Sequence, residues 1–235
     1  MIQLLRRRSY EKELLDRDDI PFEHIKRNMQ ELDRINHYLG GHRISLDGIR
    51  RLTGKRSMQE PLRIAEIGCG GGDNLRAIGR WAKKKGLPVR LSGIDINPSC
   101  IGYAQSVEAN RGIEFIHSDY RNVSFSEKPH IIFSSLFCHH FTEDELRRML
   151  QWMQENSTLG FFINDLHRHP LAYYSITLLT KAFSKSYLVK NDAPLSVKRG
   201  FVREEWKRLF ASAGIASFRC EWKWAFRWLV TCSHS

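Results

Sequence analysis

The chain has 235 residues, 42% of them apolar and 27% charged, with a formal net charge of +11. This composition describes a globular chain and not a disordered one, and the length suits one α/β domain with a small appendage. The longest stretch without Asp, Glu, Lys or Arg is residues 129–142, well short of the ~20 apolar residues of a helical membrane span.

The first ten residues, MIQLLRRRSY, place a basic cluster after a short apolar piece. That order is the reverse of a secretory signal. Residues 1–58 are polar and helical in pattern. Leu14, Ile25, Met29, Leu32, Ile35 and Leu39 mark one apolar face, stopped by the glycine pair at 40–41. A second short helix is predicted from Leu46 to Leu52, then a polar linker over Gly54–Pro61.

After Pro61 the pattern alternates. LRIAEIG is strand-like, and NLRAIGRWAKKKG is helical and ends at Gly86. VRLSGIDI is a strand, SCIGYAQSVEANRG a helix, and IEFIHSD and HIIFSSLF are strands. EDELRRMLQWMQENS is an amphipathic helix with Thr142 as N-cap. GFFINDL is a strand, PLAYYSITLLTKAF a helix, and residues 184–200 read as a long polar connection. REEWKRLFASAG is a helix, and IASFRCEWKW and AFRWLVTC form a closing antiparallel hairpin. The alternation predicts a mostly parallel sheet with helices on both faces. Two units follow: an N-terminal helical cap, 1–58, and an α/β domain, 59–235.

The five cysteines are scattered without a CxxC pair. This fits reduced thiols and a cytoplasmic location, with no disulfide framework or zinc site. The basic excess is concentrated in residues 151–235, where 12 basic residues face 6 acidic ones. Such a surface suits nucleic acid, an anionic lipid or an acidic small molecule, or serves only solubility.

The stretch IAEIGCGGGDNL (Ile64–Leu75) carries the first chemical signal. Gly68, Gly70 and Gly72 follow a predicted strand and open a predicted helix. That turn lies at the carboxyl edge of a doubly wound sheet, where backbone N–H groups can face a ligand. No GxxxxGK[ST] is present, which excludes a P-loop. The sixth position of a GxGxxG fingerprint is Asp73, whose charge disfavours a pyrophosphate. Three acids end the first three strands: Glu66, Asp95 and Asp119. Asp95 is placed to accept from ribose hydroxyls and Asp119 from an adenine amine.

On these residues the sequence resembles the class I S-adenosylmethionine-dependent methyltransferases. Glu66–Gly72 (EIGCGGG) is similar to their E/D-x-G-x-G-x-G motif, and Asp95 and Ser118-Asp119 match the acids after their second and third strands. IIFSSLFCHHF (Ile131–Phe141) resembles the fourth-strand segment of the ubiquinone- and menaquinone-type members. The resemblance spans about residues 60–235. It implies a seven-stranded Rossmann-like sheet, the cofactor S-adenosyl-L-methionine and the product S-adenosyl-L-homocysteine. It also implies that Glu66, Gly68, Gly70 and Gly72 line the methionine and ribose part, and that Asp95 holds the ribose with Ile96 against adenine. Asp119 and Tyr120 would flank the adenine amine, and Ser135 and Leu136 would sit near the sulfonium.

A hydroxyl acceptor needs a base, and histidine suits neutral pH. Candidates are His139 and His140 after the fourth strand and His167 after the fifth. His169 lies nearby, with Asp165 the one acid close to the HxH pair. No metal site is expected. The fourth strand ends in SSLF rather than the (N/D/S)PP(Y/F) of base-modifying enzymes, which disfavours a nucleic-acid acceptor. The expected acceptor is a small or lipid-like molecule with an aromatic hydroxyl. The N-terminal helices and Leu171–Phe183 would cap it. Arg168, Lys198 and Arg199 are available to an acidic acceptor or a membrane surface. The alternatives are an RNA methyltransferase, and a cofactor-binding protein of this fold without turnover.

Overall fold

The computed structural model describes residues 5–17, 19–54 and 60–234. Most of the expected 54–61 linker, the boundary at 58–59 and the first four residues lie outside them. Among the described residues there are seven strands: β1 (Leu62–Ile67), β2 (Val89–Asp95), β3 (Ile113–His117), β4 (Ile131–Ser135), β5 (Gly160–Leu166), β6 (Arg219–Lys223) and β7 (Arg227–Ser233). They form one sheet in the order β3-β2-β1-β4-β5-β7-β6. Strands β1 to β5 pair parallel, and β7 runs antiparallel to both β5 and β6. These are the strands that the sequence pattern predicts. The order reverses between β1 and β4, which opens a crevice at their carboxyl ends.

The two-residue strand period sorts the core into two layers. Leu62 and Ile64 of β1 pack with Phe133 and Phe162 on one face, under α2 (Gly41–Thr53) and α3 (Asp73–Lys85). Ala65 and Ile67 pack on the other, with Ile132, Phe161 and Ile163. That second face is covered by α5 (Glu143–Asn156), through Leu146, Met149 and Met153, and by α8 (Arg203–Ser212), through Trp206 and Phe210. Helix α2 contributes Ile44, Ile49 and Leu52 to the first layer. A side chain at Gly48 would meet the Phe162 ring at 2.6 Å, so the bare backbone there sets how close α2 lies to the sheet.

Local signals define the ends. Thr142 and Glu145 form a reciprocal capping box on α5. Asn97 caps α4 (Pro98–Ser106), accepting from the N–H groups of Ser99 and Cys100, with Pro98 in the first turn. Gly86 closes α3 in the left-handed region behind three lysines.

Three expectations are corrected. Leu14 is not on the first helix: it lies in a separate 3-10 turn (Leu14–Asp16), because Pro21 starts α1 (Phe22–Tyr38) afresh. Helix α2 begins at Gly41, not Leu46, because Gly40 takes φ 80° and completes the break alone. The stretch read as a polar connection contains α7 (Tyr187–Arg199), which follows α6 (Pro170–Phe183) after a short link. Its buried face includes Leu188, Asp192, Leu195 and Arg199, so two charged residues hide the helical period.

Among the described residues no helix is long and apolar enough to cross a membrane.

Candidate active site

A cavity of about 1250 Å³ opens at the carboxyl edge of the parallel strands. Single-ligand sites span roughly 300–1,000 Å³, so this one has room for two molecules side by side. Its floor is the glycine turn and the ends of β1, β2 and β4. Its roof is α1, the segment before α1, α6, α7 and the turn between β6 and β7.

The glycine turn is held from below. Gly68 and Cys69 donate their N–H groups to the carbonyl of Ile94. Gly68 has φ 67°, and a Cβ there would fall 2.1 Å from the Phe137 ring, so only glycine fits. Glu66 ends β1 with 1% of its surface exposed, and its Oε2 has no hydrogen-bond partner among the described residues. Burial, then the charges of Asp73 and Asp95, push its carboxyl well above the ordinary range. Asp95 accepts from the Gly70 N–H at 2.8 Å and the Asn97 N–H at 2.9 Å. Burial raises its pKa in spite of those bonds. Asp73 accepts from Asn36 at 3.0 Å and lies 2.7 Å from His42 Nε2, which ties α1 and α2 to the turn.

Strand β4 delivers the opposite wall. The Ser135 hydroxyl accepts from Asn164 at 3.2 Å. Leu136 takes φ 53°, a left-handed conformation uncommon for a branched side chain. The turn that follows carries His139 and His140. His139 Nδ1 lies 2.8 Å from Asp165 Oδ1, and its Nε2 lies 3.5 Å from Glu13 Oε1. Burial alone would lower the His139 pKa, but Asp165 and then Glu13 overcome it and hold it at about 9. His139 is therefore an imidazolium at neutral pH. Burial likewise opposes the charge on Glu13 and Asp165, yet His139 keeps both below the ordinary carboxylate range. His140 lies against His139 with ring centroids 4.4 Å apart. Its Nε2 is 3.9 Å from Glu13 Oε2, and its side chain keeps 21% of its exposure.

Two arginines fix this turn. Arg199 donates from Nε to the His139 carbonyl at 3.0 Å and from a terminal nitrogen to the His140 carbonyl at 2.9 Å. Arg8 donates to the His139 carbonyl at 3.0 Å and to the Arg199 carbonyl at 2.8 Å. Asp192 of α7 accepts from the N–H groups of Leu14 and Leu15. Distant segments of the chain thus meet at one turn.

Of the residues that the sequence nominates, Glu66, Gly68, Gly70, Asp95, Ile96, Ser135, Leu136, His139 and His140 line the cavity. Gly72, Asp119, Tyr120 and His167 do not. Asp119 is paired with Arg121 in two-toothed fashion. Tyr120 packs edge-on against Trp152 in the core. His167 sits against Trp228 and His169. Burial, then His169 and Arg168, lower its pKa to about 4.

Asp165, expected beside the HxH pair, serves His139 instead. Arg168 is buried on Glu205 at 2.7 Å, and Arg199 is buried on the histidine turn, so neither is a surface cation. Residues Asn97–Cys100, Glu13 and Asp192 line the cavity without a sequence motif to announce them. The proline after Asn97 was the one available sign for the first group; Glu13 and Asp192 reach the site only through tertiary packing.

Residues 64–157 match the family described as "Methyltransferase domain". No curated protein matches the sequence. Among solved structures, the plantazolicin methyltransferase BpumL in complex with SAH aligns with TM-score 0.60 and 20% identity, covering 84% of this chain and 79% of that one. Magnesium protoporphyrin IX methyltransferase from Synechocystis PCC 6803, with bound SAH, aligns with TM-score 0.50 and 12% identity over 81% and 94%. A pericyclic reaction enzyme aligns with TM-score 0.55 and 17% identity over 79% and 47%. At these identities the likeness shows the fold, which several chemistries share. The sequence match, the strand order and the glycine turn agree: residues 64–157 match a methyltransferase domain, set in a Rossmann-like sheet of the kind these structures share.

Proposed function

We propose that the enzyme methylates a hydroxyl on a small or lipid-like, aromatic acceptor, with His140 as the base. The observation that carries this reading is the unequal state of the two adjacent histidines. Both rings line the cavity, but His139 is 2% exposed between two carboxylates, whereas His140 keeps 21% of its side-chain exposure.

The donor half of the cavity fits the cofactor. The buried Glu66 Oε2, without a hydrogen-bond partner among the described residues, suits a cationic amine. Asp95 Oδ1 and Oδ2 each accept one N–H bond, which leaves lone pairs for ribose hydroxyls. Ile96, 65% exposed, offers an apolar surface to a purine. Bound there, S-adenosylmethionine supplies a methyl group activated by positive sulfur.

The remaining work belongs to the chain. Ser135 and Leu136, at the end of β4, bound the space between donor and histidine turn. Phe137, Phe141, Ile176 and Leu179 give the acceptor half apolar walls that exclude water. O-methylation releases one proton from the hydroxyl, and His140 receives it. The proton rests on Nε2, where the Glu13 carboxylate 3.9 Å away stabilises the imidazolium. His139 and Asp165 hold the turn in place, and Glu13 is shared between the two rings.

The test is a methyl-transfer assay with a panel of phenols of increasing alkyl length, read by product mass and fragmentation. Methyl on oxygen, lost in His140→Gln, supports the reading. Methyl on carbon or nitrogen, or full turnover by His140→Gln, overturns it.

A further inference from the structure

Helix α6 has two apolar faces. One, through Ala172, Ile176 and Leu179, lines the catalytic cavity. The other is open, with Leu171 61% and Leu178 71% exposed, and Phe183, in line with Ile176 and Leu179 at the end of the helix, is 81% exposed. Leu171–Phe183, expected to cap the acceptor, thus presents part of its apolar surface to solvent. Trp224 adds 68% exposure on the turn that roofs the same cavity.

A second depression, of about 590 Å³, lies between α6 and α1. Its floor is apolar, with Ile35, Leu39, Ile176 and Leu179, and those four residues also line the catalytic cavity. Its rim carries Arg27, Arg34 and Lys185. All three are exposed, and none has a carboxylate within 4.0 Å among the described residues. The rim's one acid, Glu31, is engaged: it accepts from the Ser184 hydroxyl and from the N–H groups of Lys185 and Ser186. No Asp or Glu occurs from residue 167 to residue 191, while Lys181, Lys185 and Lys190 are exposed there.

An apolar helix face beside a groove with a cationic rim is the arrangement of an interfacial helix. The apolar side chains enter the acyl boundary, and the cations meet anionic headgroups, which draw basic residues to the surface. We propose that α6 and the α1–α6 groove dock the enzyme on an anionic lipid bilayer, with the shared wall of Ile176 and Leu179 next to the lipid. The docking rests on this surface alone. That a lipid-like acceptor passes along the wall rests in addition on the acceptor reading above.

The experiment is co-sedimentation of the full chain with vesicles of phosphatidylcholine alone and of phosphatidylcholine with 30% phosphatidylglycerol. Binding to the anionic vesicles at least tenfold tighter than to the neutral ones, weakened by 0.5 M salt, is expected. Leu178→Asp with Phe183→Asp should abolish it, and Arg34→Glu with Lys185→Glu should reduce it at least tenfold. Both pairs are exposed, and retained S-adenosylhomocysteine binding will confirm that the variants are folded. Equal binding by the wild type and the Leu178/Phe183 variant, or no binding by the wild type, overturns the proposal. A wild-type dimer that the same variant converts to monomer, without vesicle binding, would make the face an interface between two copies and overturn it as well. None of these outcomes depends on which atom accepts the methyl group.

Discussion

His139 Nδ1 donates to Asp165 Oδ1 over 2.8 Å, and neither side chain exceeds 2% exposure. A charged pair sealed this well is weak evidence for stability as a pair, but it is costly to break. Asp165→Asn leaves the imidazolium short of one counter-charge. The expected loss is about 3–5 kcal/mol at pH 6, read by urea unfolding.

The same pair sets a pH dependence. Folding raises the His139 pKa from 6.5 to about 9. The folded state therefore binds its proton more tightly, so this contribution is fully present below pH 6.5. It declines as pH rises and is gone once pH has passed about 9. The gap in stability between wild type and Asp165→Asn should shrink over that window. A gap that stays constant from pH 6 to 10 would contradict a His139 titration within that window.

Glu66 should trade stability for binding. Its carboxyl is buried, has no partner at Oε2 among the described residues, and is raised in pKa by burial and by Asp73 and Asp95. As an acid with a raised folded pKa, it costs stability as pH rises above its ordinary range. Glu66→Gln should stabilise the free enzyme at pH 8 by about 1–3 kcal/mol. It should weaken S-adenosylhomocysteine by tenfold or more. Thermal unfolding and calorimetry together check this, and movement of both in the same direction would contradict it.

Two glycines separate strain from collision. Gly68 and Gly86 have nearly the same backbone, φ 67° and 65°. A Cβ at Gly86 meets nothing within 4 Å, whereas one at Gly68 meets Phe137 at 2.1 Å. Gly86→Ala should cost only the left-handed penalty, about 1–2 kcal/mol. Gly68→Ala should cost more and also remove cofactor binding, because Phe137 and the turn must both move. Equal losses in melting temperature would argue against close packing at the turn.

The sheet was legible because its signals are local. Strands β1 to β5 are short apolar runs bounded by turn residues, and the glycine turn sits where a doubly wound sheet demands it. Helix α7 was not legible, because Asp192 and Arg199 occupy its buried face and Pro194, which ordinarily breaks a helix, lies inside it. In the folded chain Asp192 receives the Leu14 and Leu15 N–H groups, and Arg199 holds the histidine turn. Those partners lie far away in sequence, so no window of residues predicts them. Glu13 was hidden for the same reason: its importance comes from meeting His139 and Ser196. Trp222 and Trp224 fall in the predicted strand IASFRCEWKW, yet they are 44% and 68% exposed.

The histidines should separate by role. His140→Gln should lower kcat by ~10²–10⁴-fold, the usual worth of a positioned base. Glu13→Gln should lower it less and shift the pH profile. His167 lies outside the cavity lining and is held neutral, with a pKa of about 4. His167→Gln should keep kcat within about threefold of wild type at pH 7, where general-base loss would cost far more. Steady-state kinetics at fixed pH decides between them.

The central claim is that the cavity at the glycine turn binds S-adenosylmethionine. Calorimetric titration of S-adenosylhomocysteine into the wild type and Asp95→Ala, with NAD as a control ligand, tests it most directly. The account predicts saturable binding to the wild type, at least tenfold weaker in Asp95→Ala, and no heat from NAD. Saturation at 100 times the dissociation constant should add about 2.7 kcal/mol of stability, an independent thermal check. Failure of the wild type to bind, or equal binding by Asp95→Ala, would contradict the assignment of the glycine turn and Asp95 to this cofactor.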